Sequence, residues 1–470
     1  MRGGMENNLG SSRRSSRRSS RRSFDIWSEL TPSFRENALA RSATGARSVH
    51  DGISGSKGTW RPLRPSFVDR GHYDELGRVC ARLMRLILDA CRRRAGTVGE
   101  LQDVLGVDEA DTPLLSRTEL LGDHLLVAAR PDIVYRSGVP RFVEFNIDGA
   151  LGGTLQADLL AARFRDLYRP LPGGDRIDAP PSAVDSRFAE IRTSLGLSEG
   201  SRVAIPVFRK GAAPGLEDPD AFLAWLVPMC ESGRRHGMDT VACPMDRLET
   251  GEDDVLLLDG QRVDAVFRLF LSFDQPPSSG LDALVRSVRA GRVRMHTPEA
   301  TWLLSDKTTM AWLWADKDVL PEDDQRLIER HLPWTALFPA PGAGGEALLR
   351  HALAHRMELV LKPVGGYGGG GVVLGPEVPD EEWRQALEDA RRTGRHILQT
   401  HVTPDRLALD FQDLATGAVE HAEVPFVVGP FLFGGAPSGV LVRHGVPGGG
   451  PVLNAHHGAL MSSVVLVDRC

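Results

Sequence analysis

Residues 130–148 read RPDIVYRSGVPRFVEFNID. Two runs rich in β-branched and aromatic residues flank Ser137-Gly138, which predicts a β-hairpin over 131–147. Strand side chains alternate, so Phe142, Glu144 and Asn146 are expected on one face, with Val143, Phe145 and Ile147 on the other. A turn centred near Val139 puts Asp132 opposite Asn146 and Glu144 one diagonal step away. Such neighbours sit about 4.5–5.5 Å apart when opposed and about 7–8 Å apart on the diagonal. Two carboxylates and an amide oxygen then converge between apolar strands, where they require positive charge. Hard oxygen ligands suit Mg²⁺ or Mn²⁺, and Mg²⁺ usually takes one or two carboxylates plus phosphate oxygens. Arg130 falls on the face of Asp132, within reach of those phosphates. A solvated hairpin face with ordinary polar residues is the alternative.

Of the 56 basic residues among 470, only Lys57, Lys210, Lys307, Lys317 and Lys362 are lysines. A surface cation in this chain is normally Arg, so each Lys is informative. Lys362 ends an apolar run, Leu359 to Val364, directly before GGYGGGG at 365–371. Glycines allow backbone N–H groups to turn towards an anion, and Gly368, Gly369 and Gly370 form the centre of that loop. A Walker loop carries its Lys after the glycines and opens a helix; here the Lys comes first and the strand Val372 to Leu374 follows. A P-loop NTPase is therefore disfavoured, and so is a Rossmann dinucleotide site, since no GxGxxG opens a helix. Lys307 opens a helical stretch through Trp314, placing a second cation for phosphate. Gln399 lies in a strand, Ile397 to Val402. Lys57, Lys210 and Lys317 have no comparable context and read as surface residues.

The order Arg130-x-Asp132, Glu144-x-Asn146, Lys307, Lys362, glycine loop and Gln399 resembles the synthetase domain of glutathionylspermidine synthase. That domain is a circularly permuted ATP-grasp ligase. Glu144 to Asp148 is similar to the family's EYNAD motif, and Pro430 to Gly435 followed by Ser438 to Arg443 is similar to its tail. The resemblance covers most of residues 75–460. It implies an α/β (α+β) ATP-grasp fold, circularly permuted, with a Rossmann-like subdomain before the ATP-grasp region. It also implies that Asp132, Glu144 and Asn146 bind two Mg²⁺ ions, with Mn²⁺ an alternative, and that Lys307 and Lys362 contact ATP phosphates. The strand around Gln399 would line the adenine pocket, and Arg130 and Arg443 would steady the transferred phosphoryl group. The implied activity joins a small-molecule carboxylate to an amine, forming ADP through an acyl-phosphate. After Asp148 the family's Thr-Pro-Thr-Ser-type segment is replaced by Gly149 to Thr154, and no Cys of these 470 residues sits in an amidase context, so no amidase domain is expected here. A different acid and amine, an amino acid or small peptide, are therefore expected, with His456, His457 and Ser462 as candidate substrate contacts.

Four regions are expected: a disordered Arg/Ser-rich tail over 1–65, the permuted segment with its hairpin over 66–184, the Rossmann-like unit over 185–294 and the nucleotide-binding region over 295–470. Helices are predicted over 72–94, 155–167 and 221–236, and strands over 203–208, 241–244 and 265–270. Their alternation indicates a mostly parallel sheet. No apolar run approaches the roughly 18–20 residues of a membrane span. Five cysteines without a CxxC pair support neither a disulfide framework nor a zinc ribbon. With no apolar leader near Met1, a cytoplasmic location is expected. The tract SSRRSSRRSSRRS at 11–23 could hold nucleic acid weakly, or be a dispensable tail or translation upstream of the true start, with Met5 a second candidate initiator. The formal net charge of −6 places an acidic body behind it, which argues against a nucleic-acid-binding domain. A non-catalytic nucleotide-binding regulator or scaffold of the same fold is the rival to the ligase; loss of Lys362 or an acidic ligand would favour it, and all are present.

Overall fold

The computed structural model describes residues 23–53, 58–208, 218–339, 345–366, 368–447 and 459–468. The hairpin strands Ala128–Arg136 and Val139–Asn146 add to a seven-stranded sheet through the long strand Val419–Phe433. That strand also pairs with Arg406–Asp413 and Ala436–His444, all antiparallel. Segments far apart in the chain thus share one sheet. The amphipathic helix Arg70–Arg92 packs Leu76, Leu83 and Ile87 into the main core with Ile133, Tyr135, Phe142 and Phe145. Asp69 caps this helix by accepting from the His72 N–H, as an N-cap carboxylate should.

The region expected to be Rossmann-like carries a four-stranded parallel sheet in the order Arg294–His296, Ala265–Phe267, Arg202–Val207, Asp239–Pro244. The segment expected as one helix over 221–236 is two, Pro219–Trp225 and Val227–Arg235. Pro228 lacks an N–H and its ring clashes with the preceding turn, so the helix breaks there. A smaller antiparallel sheet has the order Thr335–Phe338, His396–Thr400, Leu359–Pro363, Val373–Leu374. Helices Gly345–Ala354 and Asp380–Thr393 cover its outer side around the buried Trp383.

The expectation of a disordered 1–65 is corrected in its second half. Residues 32–50 form a 19-residue helix, capped by the Thr31 hydroxyl and started by Pro32. Phe34, Ala38, Ser42, Ala46 and Val49 face inward at helical spacing, and Phe24 stacks on Phe426 with ring centroids 5.5 Å apart. Small residues on the buried face, among Ser, Arg and Gly, hide this stripe from a hydrophobic pattern. The Arg/Ser tract at 11–22, Lys57, Lys210, His456, His457 and Cys470 lie outside the described residues. Among the described residues, no helix is long and apolar enough to cross a membrane.

Candidate functional site at the hairpin and glycine loop

The hairpin register differs from the expected one. The turn is Arg136 to Val139, with Ser137 and Gly138 at φ of 52° and 72°. This is a two-residue turn whose twist matches the flanking strands. Both turn N–H groups donate to the Asp405 carboxylate, at 2.7 and 2.8 Å. Arg130 therefore opposes Asn146 and Asp132 opposes Glu144, not Asn146. A bulge leaves Val143 without a partner between the Asp132–Glu144 and Ile133–Phe142 pairs. The extra residue resets the alternation. Phe142 and Phe145 both enter the core, stacked 5.6 Å apart, while Val143, Glu144 and Asn146 line a cavity.

That cavity has a volume of about 830 Å³ and is walled by the hairpin, the small sheet, the glycine loop and the parallel-sheet unit. The bulge presents adjacent groups to the two lysines. The Val143 carbonyl accepts from Lys362 Nζ at 3.1 Å, and Glu144 Oε1 pairs with Lys307 Nζ at 3.0 Å. Lys362 also donates to Gln399 Oε1 at 2.7 Å, and Lys307 to the Gly366 carbonyl at 3.0 Å. Burial pushes the Lys362 pKa down to about 8, helped by Lys307 and opposed by Glu144 and Asp132. In the loop, Gly366, Gly368, Gly369 and Gly371 all have positive φ, a path that side-chain-bearing residues resist. Ser305 clips the two walls together. It accepts from the Ile147 N–H at 2.7 Å and donates to the Ile147 carbonyl at 3.1 Å, two residues before Lys307.

Around Asp132 the charges form a second group. Arg443 Nη2 pairs with Asp132 Oδ2 at 2.7 Å, and Arg130 Nε lies 3.7 Å from Oδ1. Burial raises the Asp132 pKa, but Arg443 and Arg130 together hold it below the usual carboxylate range. Burial also lowers the pKa of Arg130, whose Nη1 donates to the Gly152 carbonyl at 2.6 Å. Gly429 makes room for this arginine, since a Cβ there would stand 3.0 Å from its Cδ. Asp132 Oδ1 is buried without a hydrogen-bond partner, and the Asn146 amide is anchored to the Arg130 carbonyl at 3.0 Å. Among the described residues no group of three or more His, Cys, Asp or Glu side chains could hold a metal. The donor set is instead two opposed carboxylates and an amide. That suits a cation which completes its shell with phosphate oxygens, and the unsatisfied Asp132 oxygen fits it.

Arg130, Asp132, Glu144, Asn146, Lys362, Gly368, Gly369, Gln399 and Arg443 all line the cavity, and Lys307 reaches it through Glu144. Ser462 does not: it is buried, and its neighbour Met461 faces the cavity instead. Lys317 is a surface cation paired with Glu329 at 2.6 Å. Asp148 holds the fully buried Arg268 at 2.6 Å, tying the end of the hairpin segment to the parallel sheet. Sequence reasoning missed the aromatic wall of Phe208, Phe222, Trp225, Phe270 and Trp302, because such residues read as ordinary core.

No family model matches the chain. The chain is 29% identical over 306 residues to a Frankia alni protein assigned the name glutamate–cysteine ligase 2-3, a match covering 60% of this chain and 32% of that one. It is 28% identical over 231 residues to a Frankia casuarinae protein assigned the name glutamate–cysteine ligase 2-2, covering 44% and 25% respectively. The matched stretch thus spans about a third or less of the length of these relatives. Among solved structures, the apo form of a glutathione synthetase-like effector from Globodera pallida superposes with a TM-score of 0.56 at 14% identity. That match covers 93% of this chain and all of the other. The chain therefore has a mixed α/β fold of the glutathione synthetase-like kind.

Proposed function

We propose that the protein is an ADP-forming carboxylate–amine ligase of circularly permuted ATP-grasp architecture. The observation that carries this reading is the convergence of two buried lysines, from separate segments, on adjacent residues of one acidic hairpin beside a glycine loop. Lys307, Lys362, Arg130 and Arg443 gathered around Asp132 and Glu144 at one end of the cavity suit a polyanionic substrate and the transfer of a phosphoryl group. The names of the Frankia relatives agree with an amide-forming ligase.

In this reading Lys307 and Lys362 bind ATP phosphates, the amides of Gly368, Gly369 and Gly370 cover them, and the strand of Gln399 lines the adenine pocket. Asp132, Glu144 and Asn146 would hold Mg²⁺ or Mn²⁺, which neutralises triphosphate charge. The protein's own ion pairs set the cost of entry, since Lys307 must exchange Glu144 for phosphate and Arg443 must loosen from Asp132. Arg130 and Arg443 orient the transferred group while a substrate carboxylate oxygen attacks the γ-phosphorus and ADP leaves. The amine nitrogen then attacks the acyl carbon, phosphate departs with the bonding pair, and the amine loses a proton. Closure of the glycine loop excludes the water that would otherwise hydrolyse the acyl-phosphate.

The test is ADP release by the purified protein with Mg-ATP against a matrix of acids and amines, with mass spectrometry of the product. ADP together with an amide for one acid–amine pair is expected. No ATP binding and no ADP release across the matrix would overturn the reading.

A further inference from the structure

The parallel sheet places a second feature in the same cavity. Strand Arg202–Val207 connects onward to Asp239–Pro244 on one side, whereas Ala265–Phe267 returns to its other side. The gap between the carboxyl ends of 202–207 and 265–267 is thus a topological switch point, the place where open α/β sheets form a crevice for ligands. Phe208 follows directly from the first strand end and Phe270 lies three residues past the second, and they meet edge to face with ring centroids 5.2 Å apart. Phe222, Trp225, Met229 and Leu271 extend the same wall, and all face the cavity. Among the described residues from 202 to 275 that line it, Asp274 is the charged side chain.

We infer that the crevice seats the amine substrate, and that this amine carries an apolar, preferably aromatic, body. The inference rests on the ligase reading and names a substrate class for it. An aromatic wall gains by removing apolar surface from water and offers little to a polar chain. A substrate with a carboxylate at this end would bring like charge to Asp274, so the occupant is the amine and not the acid.

The experiment uses the full chain with Mg²⁺ and a non-hydrolysable ATP analogue, and titrates amines by calorimetry. Phenethylamine and tryptamine are compared with ethanolamine, putrescine and glutamate. The aromatic amines are expected to bind at least tenfold more tightly than the others. Phe208 and Phe270 are buried and their truncation threatens folding, so the variants are Trp225→Ala and Leu271→Ser, both at partly exposed positions. Each should weaken aromatic-amine binding by about tenfold or more, with analogue binding as the folding control. Equal or tighter binding of the polar amines or glutamate, absence of binding by any aromatic amine, or unchanged affinity in both variants would overturn the inference. Failure of the ligase reading is distinct: the analogue itself would not bind.

Discussion

The hairpin and glycine-loop side of the cavity holds Lys307, Lys362, Arg130, Arg443, Asp132 and Glu144, whereas the parallel-sheet side holds Phe208, Phe222, Trp225, Phe270 and one acid, Asp274. On the first side each cation is taken from water and leans on a polar partner: Lys307 on the Glu144 carboxylate, Arg443 on that of Asp132, Lys362 on the Gln399 amide oxygen. Such an arrangement is costly to bury, and removing one partner leaves the other uncompensated. On the second side burial itself is favourable, at roughly 25 cal/mol per Å² of apolar surface. In the proposed reading the charged half therefore discriminates by charge and geometry, and the apolar half by shape and hydration.

The sharpest way to break this comparison is Glu144→Gln. It keeps the shape, removes one of the two opposed carboxylates and leaves Lys307 without its anion. Turnover should fall by roughly 10²–10³-fold, the scale of losing one aligned electrostatic group, while the thermal melt shows an intact fold. Full ADP release by this variant would separate the charged half from the chemistry altogether.

The two halves are joined by Asp148 and Arg268. Arg268 is buried, pairs with Asp148 at 2.6 Å, and donates to the Thr297 and Phe270 carbonyls at 2.9 and 2.8 Å. One guanidinium thus grips the end of the hairpin segment and the start of the aromatic wall. Arg268→Met should cost about 3–5 kcal/mol in urea denaturation, because Asp148 is left buried and unpaired. The double variant with Asp148→Asn should recover part of that loss, whereas strict additivity would mean that the pair does not couple the halves.

A smaller effect separates the halves by pH. Lys362 has a folded pKa of about 8, below the 10.5 of a free lysine. Below pH 8 it is charged in both states, and its burial costs stability. Between 8 and 10.5 the unfolded chain holds a proton that the folded chain lacks, so stability of the free protein rises with pH, by up to about 1.4 kcal/mol per unit. Nucleotide affinity moves the opposite way and weakens above pH 8 as the ammonium is lost. Lys362→Met should flatten both slopes in denaturation and ATP-titration series. Amine binding in the apolar crevice should show no inflection at that pH.

The charged half was legible in the sequence because its residue types are rare and ordered: two of five lysines, and acids interrupting an apolar hairpin. The aromatic wall was not, since Phe208 or Phe270 at a strand end looks the same whether it faces a core or a ligand. The parallel sheet was legible from alternating strands and helices, but its switch point follows from strand order, which no local pattern encodes. The helix over 32–50 was hidden because its buried stripe uses Ala and Ser. The pairing within the hairpin failed for another reason. The run Val143 to Ile147 alternates strictly, and the adjacent apolar pair Phe142-Val143 is the one local sign that Val143 is an inserted residue.

The turn offers a test of that register with the smallest expected effect and a sign that decides. Ser137 sits at φ 52°, in the left-handed region that costs an L-residue roughly 1–2 kcal/mol and that Asn tolerates better. Asn-Gly is also the preferred pair for a two-residue hairpin turn. Ser137→Asn should therefore stabilise the protein, by a few tenths of a kcal/mol to about 1 kcal/mol, without changing ADP release. If the turn were centred on Val139, residue 137 would lie in the strand, where Asn is disfavoured, and the same substitution would destabilise. A gain in melting temperature supports the pairing of Asp132 with Glu144, on which the convergence of both lysines depends. A loss would return Asp132 to Asn146 and move Glu144 away from Lys307.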